Sequence, residues 1–391
     1  MASEVVLKCA TCSEPATNKC GGCSSLVYCC RYCQTKDWPN HKIICRNTQL
    51  EKTLVRVTDI VQTAYFTFRE NTWDTPITTI EEEGNELLIY DGDQKNNATY
   101  FVKFPIHLIK NKGVRMAVLT AWMCAEPLAF MHNLIMKLLD GSYNSHVLMG
   151  QMLILSLPLG LKVKVHEVQV NLKNIERKTT AVGPGGSRHS NWPNFVHEVL
   201  HVKSSKTGRQ WLIDISGGQF GICQAFWKWE DYEAKYVERV TAKFNPSTMK
   251  ILIGKLAKIP GNPTLAYELP GQAAAELDQA LAKWTTNHMV LSDLIKLKDK
   301  EYEPLKRDLL RRMDEAVSNF IKRNDFTALV KTQKAYEAVN PRTSIVQVNT
   351  TNQWLKTVNL EGRRPVLASG DDEAFEEFRK NVAPGTKVLK F

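Results

Sequence analysis

The sequence predicts an α+β protein in three parts: a small metal-built module, an α/β region behind it and a mainly helical C-terminal part. Three observations carry that expectation. Eight of the 10 cysteines fall between Cys9 and Cys45. The middle of the chain mixes short β-rich runs and turn signals with apolar helical stretches. Beyond about Trp229, apolar residues recur at helical spacing. The expected boundaries are 1–48, 49–235 and 236–391. With 391 residues, 43% hydrophobic and 24% charged, the chain can bury at least one large core.

The N-terminus, MASEVVLKCA, has no apolar run behind a basic start, so no secretory signal is expected. The longest apolar stretch, Leu148 to Leu161, is interrupted by Gln151, Ser156, Pro158 and Gly160 and is too short to span a bilayer. The expected location is a reducing one, the cytoplasm or the nucleus. The N-x-T triplets at Asn97 and Asn349 then read as chance matches.

In a reducing compartment a cysteine cluster points to metal ligation rather than to disulfides. The order is Cys9-x2-Cys12-x7-Cys20-x2-Cys23-x5-Cys29-x3-Cys33-x7-His41-x3-Cys45. Seven cysteines and one histidine fill two tetrahedral zinc sites and leave no position open, so the metal is structural. Each C-x2-C pair is a knuckle that points both sulfurs at one ion. Cys29/Cys33 and His41/Cys45 are i, i+4 pairs that share one face of a helical turn. Cys30 points elsewhere and reads as a free thiol.

The run Tyr28-Cys29, Cys33-Gln34, Asp37-Trp38, His41 and Cys45 resembles the MYND-type zinc finger across all eight ligands. The resemblance implies a cross-brace, with Cys9, Cys12, Cys29 and Cys33 on one zinc ion and Cys20, Cys23, His41 and Cys45 on the other. It also implies a protein-interaction module that docks short proline-containing peptides, with Gln34 and Trp38 lining the groove. An indole beside an amide suits an extended proline-rich strand. The alternative is that Trp38 packs the finger's own core or the next domain.

Net charge is +10, but Lys and Arg are interleaved with Asp and Glu throughout, without a basic run or a nucleic-acid motif. A diffuse basic surface accounts for the charge, and neither nucleic acid nor membrane is an expected partner. Some MYND fingers sit in SET-domain methyltransferases. Neither that domain's asparagine–histidine–serine motif nor its second cysteine cluster is found.

Leu50, Leu54, Val57, Val61, Ala64 and Phe68 predict a helix over 46–72. Short strands are expected at 77–80 and 86–90, with a returning strand at 98–104. Residues 114–139 read as one long buried helix, with Cys124 as a small apolar core residue inside it. A helix is expected from Ser145 to Leu159, then strands at 161–170, 195–202 and 210–215 around a Gly/Pro/Ser-rich loop at 181–194. GPGGSR lacks the Gly-Lys-Ser/Thr of a phosphate cradle and reads as surface loop.

This helix–strand–strand order, with His197 opening one strand and Asp214 closing another, resembles the transglutaminase-like, papain-related core. There a cysteine begins the helix, and counting back from Gly160 lands on Ser145. The resemblance implies a Ser145–His197–Asp214 arrangement in which a hydroxyl replaces the thiol such a site uses, so little turnover is expected. His197 and His201 share a strand face, and either also reads as a satisfied core histidine. The finger together with Asp214-Ile-Ser-Gly-Gly-Gln-Phe-Gly221 also resembles a group of fungal MYND proteins with a long α/β region, which brings a layout and no activity.

Leu305, Leu309, Met313, Val317, Phe320 and Ile321 stripe a helix over 302–323, with Pro304 in its first turn. Residues 362–372 read as a loop. The function expected is a zinc-binding adaptor or scaffold acting through its finger. The alternative is a serine-variant hydrolase or acyl-transferase built on Ser145.

Overall fold

The computed structural model describes residues 7–93, 100–139, 154–157, 161–357 and 359. Strands β1 (Asn18–Lys19) and β2 (Val27–Tyr28) pair antiparallel in the finger. Helix α1 (Arg31–Asn71) follows. It begins well before the expected residue 46, because Arg46 to Gln49 contain no glycine or proline to stop a helix already started by the finger. Pro39 lies inside it and withholds an amide only from Thr35. All six residues of the predicted stripe are buried.

Strands β3 (Ile77–Glu83) and β4 (Glu86–Asp91) form an antiparallel hairpin whose turn uses the positive φ of Gly84. Residues 100–104 are not the expected returning strand. The free edge of β4 is taken by the parallel strand β7 (Lys178–Val182), and Phe104 instead packs edge-on against Trp73. Between them in sequence come α2 (Lys112–Thr120), α3 (Glu126–Phe130) and α4 (His132–Leu139). These replace the single helix expected over 114–139. Pro127, at the start of α3, has no amide to continue a helix from α2, and Trp122 turns the chain with φ +57°.

Strand β5 (Ile154–Leu157) pairs with β6 (Leu161–Leu172). Its residues are therefore strand where the sequence suggested helix, an ambiguity that short continuous apolar runs always carry. The remainder of that expected helix, Ser145 included, lies outside the described residues. The glycine-rich loop is the turn between β7 and β8 (Arg188–Ser190). Strands β9 (His197–Ser204), β10 (Gln210–Ile213), β11 (Phe226–Lys228) and β12 (Val237–Phe244) complete a six-stranded sheet of order β11-β10-β9-β6-β12, with β5 also on β6. Every pairing in it is antiparallel. A second sheet has order β3-β4-β7-β8.

Helix α5 (Trp229–Tyr236) links β11 to β12. The C-terminal part is helical, as expected: α6 (Thr248–Leu256), α7 (Leu265–Asn287), α8 (Leu291–Leu294), α9 (Asp299–Arg323), α10 (Thr327–Val339) and α11 (Thr343–Thr357). The fold class is α+β.

Alternation sorts the large sheet into two faces. Val163, Val165, Leu200, Val202, Trp211 and Ile213 join the main core with α1 and the C-terminal helices. Val168, Val170, Leu172, Val199 and Leu212 face a smaller core closed by Phe220, Ile222, Tyr232 and Tyr236, and that core contains Cys124. Arg56 of α1 ties that helix to the segment leading into α9, donating to the carbonyls of Ile295 and Leu297 and pairing with Asp299 at 2.6 Å.

Candidate metal centre and a buried thiol cluster

The finger gathers its ligands from both C-x2-C knuckles and from the first turns of α1. Sγ atoms of Cys9, Cys12, Cys29 and Cys33 lie within 4.8 Å of one another, as do those of Cys20, Cys23 and Cys45 with a ring nitrogen of His41. Individual separations are 3.5 Å (Cys12–Cys29), 3.6 Å (Cys29–Cys33), 3.8 Å (Cys20–Cys45) and 3.4 Å (Cys23 Sγ to His41 Nε2). A tetrahedron with Zn–S bonds of about 2.3 Å has edges of about 3.8 Å, so both sets are spaced to hold zinc. All of these thiols are free of disulfides. The two sets interleave along the chain, which is the cross-brace, and four protein ligands on each ion leave no place for a reactive water. Cys30 stands exposed at the N-cap of α1, outside both sets.

Little besides metal holds this module. Its own apolar cluster is mostly the ligand cysteines, with Ala16 and Tyr28. Tyr28 donates to Asp37 at 2.7 Å and Thr11 to the Cys33 carbonyl at 2.9 Å. Gly22 has no room for a side chain, because a Cβ would stand 2.9 Å from Cys45 Sγ. Lys52, further along α1, donates to the Cys23 carbonyl. Gln34 and Trp38 lie one turn apart on α1. Gln34 is half-buried, whereas Trp38 is 43% exposed, its ring set edge-to-face with His41 at 6.1 Å between centroids.

The second cluster lies in the smaller core. Cys124 Sγ is 3.2 Å from His197 Nδ1, and His197 Nε2 is 2.9 Å from Asp214 Oδ1. The other carboxylate oxygen of Asp214 accepts from Tyr232 at 3.0 Å. Gln219 Nε2 donates to Cys124 Sγ at 3.1 Å, while Gln219 Oε1 accepts from the Trp122 amide at 3.0 Å. Cys124, His197, Asp214, Gln219 and Tyr232 are all at most 2% exposed. Burial pushes the Cys124 thiol well above its ordinary value.

The structure brings His197 and Asp214 together, as the sequence suggested, and the side chain that meets His197 on its other ring nitrogen is the sulfur of Cys124. Ser145 lies outside the described residues. Cys124 is buried, as a small core residue should be, yet it is not merely apolar filling. The signal that could have found it is Pro127, which cuts the expected helix and places a cysteine just before a helix start. His201 is a core histidine satisfied on one side only: its Nε2 meets Gln210 Oε1 at 2.9 Å, its buried Nδ1 has no partner among the described residues, and burial lowers its pKa to about 4.

The motif Asp214 to Gly221 is the scaffold of this cluster. A Cβ on Gly217 would meet Asp214 Oδ2 at 2.3 Å, so glycine is required where the chain wraps the carboxylate. Phe220 stacks edge-on against His197 at 5.0 Å, and Gly221 turns the chain at φ +80°.

Residues 9–45 match the MYND finger family. Over 40 residues, 10% of this chain, the sequence is 52% identical to the zinc finger MYND domain-containing protein 10 homolog of Drosophila melanogaster. The match covers 9% of that relative's length, so it speaks for the finger alone. No solved structure matches the chain. The chain carries a MYND zinc finger, a type of module that mediates protein–protein interaction, with ligand sets for two zinc ions. Among the described residues no helix is long and apolar enough to cross a membrane.

Proposed function

We propose that this protein is an adaptor whose MYND finger docks an extended, proline-containing segment of a partner on the face carrying Gln34 and Trp38. The observation that supports it most directly is the indole of Trp38, 43% exposed on a helix pinned by the ligands Cys33, His41 and Cys45. Trp38 shares this end of α1 with the exposed apolar side chains of Tyr32, Ile43 and Ile44, and aromatic anchors of this kind dominate interface energetics. Gln34, one turn away, offers an amide that can pair with the backbone of an extended strand. Helix α1 runs from the ligands into the main core, so the recognition face is presented on a rigid element rather than on a loop. A cytoplasmic or nuclear setting suits a module built on reduced, zinc-binding cysteines.

The test uses the zinc-loaded full chain on an array of proline-containing peptides, as wild type and as Trp38→Ala. Trp38→Ala is expected to lose about 2 kcal/mol on the best peptides, roughly thirtyfold in Kd, with zinc content unchanged. Equal binding by the variant, or no peptide bound by the wild type, overturns the proposal.

A further inference from the structure

We propose that Cys124, His197 and Asp214, with Gln219, form a cysteine-nucleophile site for acyl transfer from an amide, in addition to the docking role of the finger. The carboxylate of Asp214 accepts from His197 Nε2–H and from the Tyr232 hydroxyl. That hydrogen bond fixes the proton on Nε2 and leaves the lone pair of Nδ1 aimed at the Cys124 thiol, 3.2 Å away. A thiol beside a base that is itself held by a third group is the arrangement nucleophilic catalysis needs.

The step balances without redox chemistry. Nδ1 takes the thiol proton as sulfur attacks the carbonyl carbon, an S–C bond forms, and the C–N bond breaks. The proton held on His197 passes to the departing amine. Water or a second amine, giving its proton to Nδ1, then attacks the thioester and restores the thiol. Gln219 Nε2, already 3.1 Å from the sulfur, donates to the carbonyl oxygen as charge develops there.

Gln219 is locked for that purpose. Its Oε1 accepts from the Trp122 amide, and its own carbonyl accepts from Thr179 Oγ1 at 2.7 Å and from Asn191 Nδ2 at 3.1 Å. Trp122 adds an independent sign. It holds φ +57°, an uncommon backbone for a bulky side chain, and strain of this kind persists where the surroundings demand it. Its half-buried ring stacks at 5.7 Å on His189 of β8, an exposed residue. A five-member polar network inside an apolar core costs free energy that Leu or Phe at the same places would not.

The experiment treats the zinc-loaded full chain with 4-nitrophenyl acetate, an activated acyl donor, and follows both nitrophenol release and peptide-resolved acetylation by mass spectrometry. Exposed Cys223 serves as the internal reference thiol. The expected result is a burst with acetyl on Cys124 far ahead of Cys223, and a rate lowered about a hundredfold or more in His197→Gln. Acetylation of Cys124 no faster than of Cys223 overturns the proposal in the wild type alone, whether or not the variant folds. So does a His197→Gln chain, folded by circular dichroism, that acetylates Cys124 at the wild-type rate. Peptide docking by the finger is read separately, so failure here leaves that reading standing, and the reverse.

Discussion

Glycine 217 occupies a position that its neighbours decide. The carboxylate of Asp214 approaches so closely that even a methyl group cannot fit, at 2.3 Å from Oδ2 and 2.9 Å from the carbonyl of Ile222. Gly217→Ala is therefore expected to destabilise the protein by about 1–3 kcal/mol, read from the midpoint of urea unfolding, because buried atoms must move. Tyr232→Phe probes the same carboxylate differently. It removes the donor to a fully buried oxygen without changing shape, and a cost of about 1–3 kcal/mol is expected from the unpaired acceptor. A change below about 0.5 kcal/mol in both would mean that Asp214 is not held as tightly as its contacts imply. At this scale the sequence was legible where residue type is chemically restrictive. The eight zinc ligands could be read from spacing alone, and the two sets they form are spaced for two ions. Cys124 was missed, since a single cysteine among Met, Ala and Leu is the ordinary composition of a core and Pro127 marks only a helix start beside it, while folding sets it against His197.

Helix α1 unites two kinds of stabilisation in one element. Its first turns carry Cys33, His41 and Cys45, held through metal, and its later turns carry the apolar stripe from Leu50 to Phe68. Removing zinc with a chelator is expected to release the amides of 31–45 to fast hydrogen exchange while those of 50–68 stay protected, since metal–ligand bonds supply the finger's folding energy and the core needs none. Cys20→Ala should act in the same way. Elemental analysis of the intact protein should return two zinc ions per chain. Exchange that spreads through the whole helix on chelation would show instead that the body depends on the finger. The helix was legible from residue 46 because its apolar period is strong there. Before residue 46 only the i, i+4 ligand pair His41/Cys45 marked a helical turn, since ligands and polar residues give no apolar period. Strand β5 and the break at Trp122 were missed for a related reason: continuous apolar runs look alike in a strand, a long helix and a broken one.

The molecule as a whole is built around one antiparallel sheet with a different task on each face. One face, through Val165, Leu200 and Trp211, bonds the body to α1 and to the C-terminal helices. The other encloses the thiol cluster in a smaller core. The finger is tied to the body through α1, which just past the ligands is itself bonded to the sheet and its β9–β10 turn: Asn47 accepts from Thr207 and Glu51 from the Trp211 indole of β10. The finger's ligands and Cys124 belong to separate clusters, so the two proposals can be tested apart. The most direct test of the docking role is a hydrogen-exchange footprint on the zinc-loaded full chain with the tightest proline-containing peptide from the array. Slowed exchange confined to residues 31–45 around Gln34 and Trp38, and abolished in Trp38→Ala, is the predicted result. Protection confined to the body, or none at saturating peptide with both zinc ions bound, would contradict it.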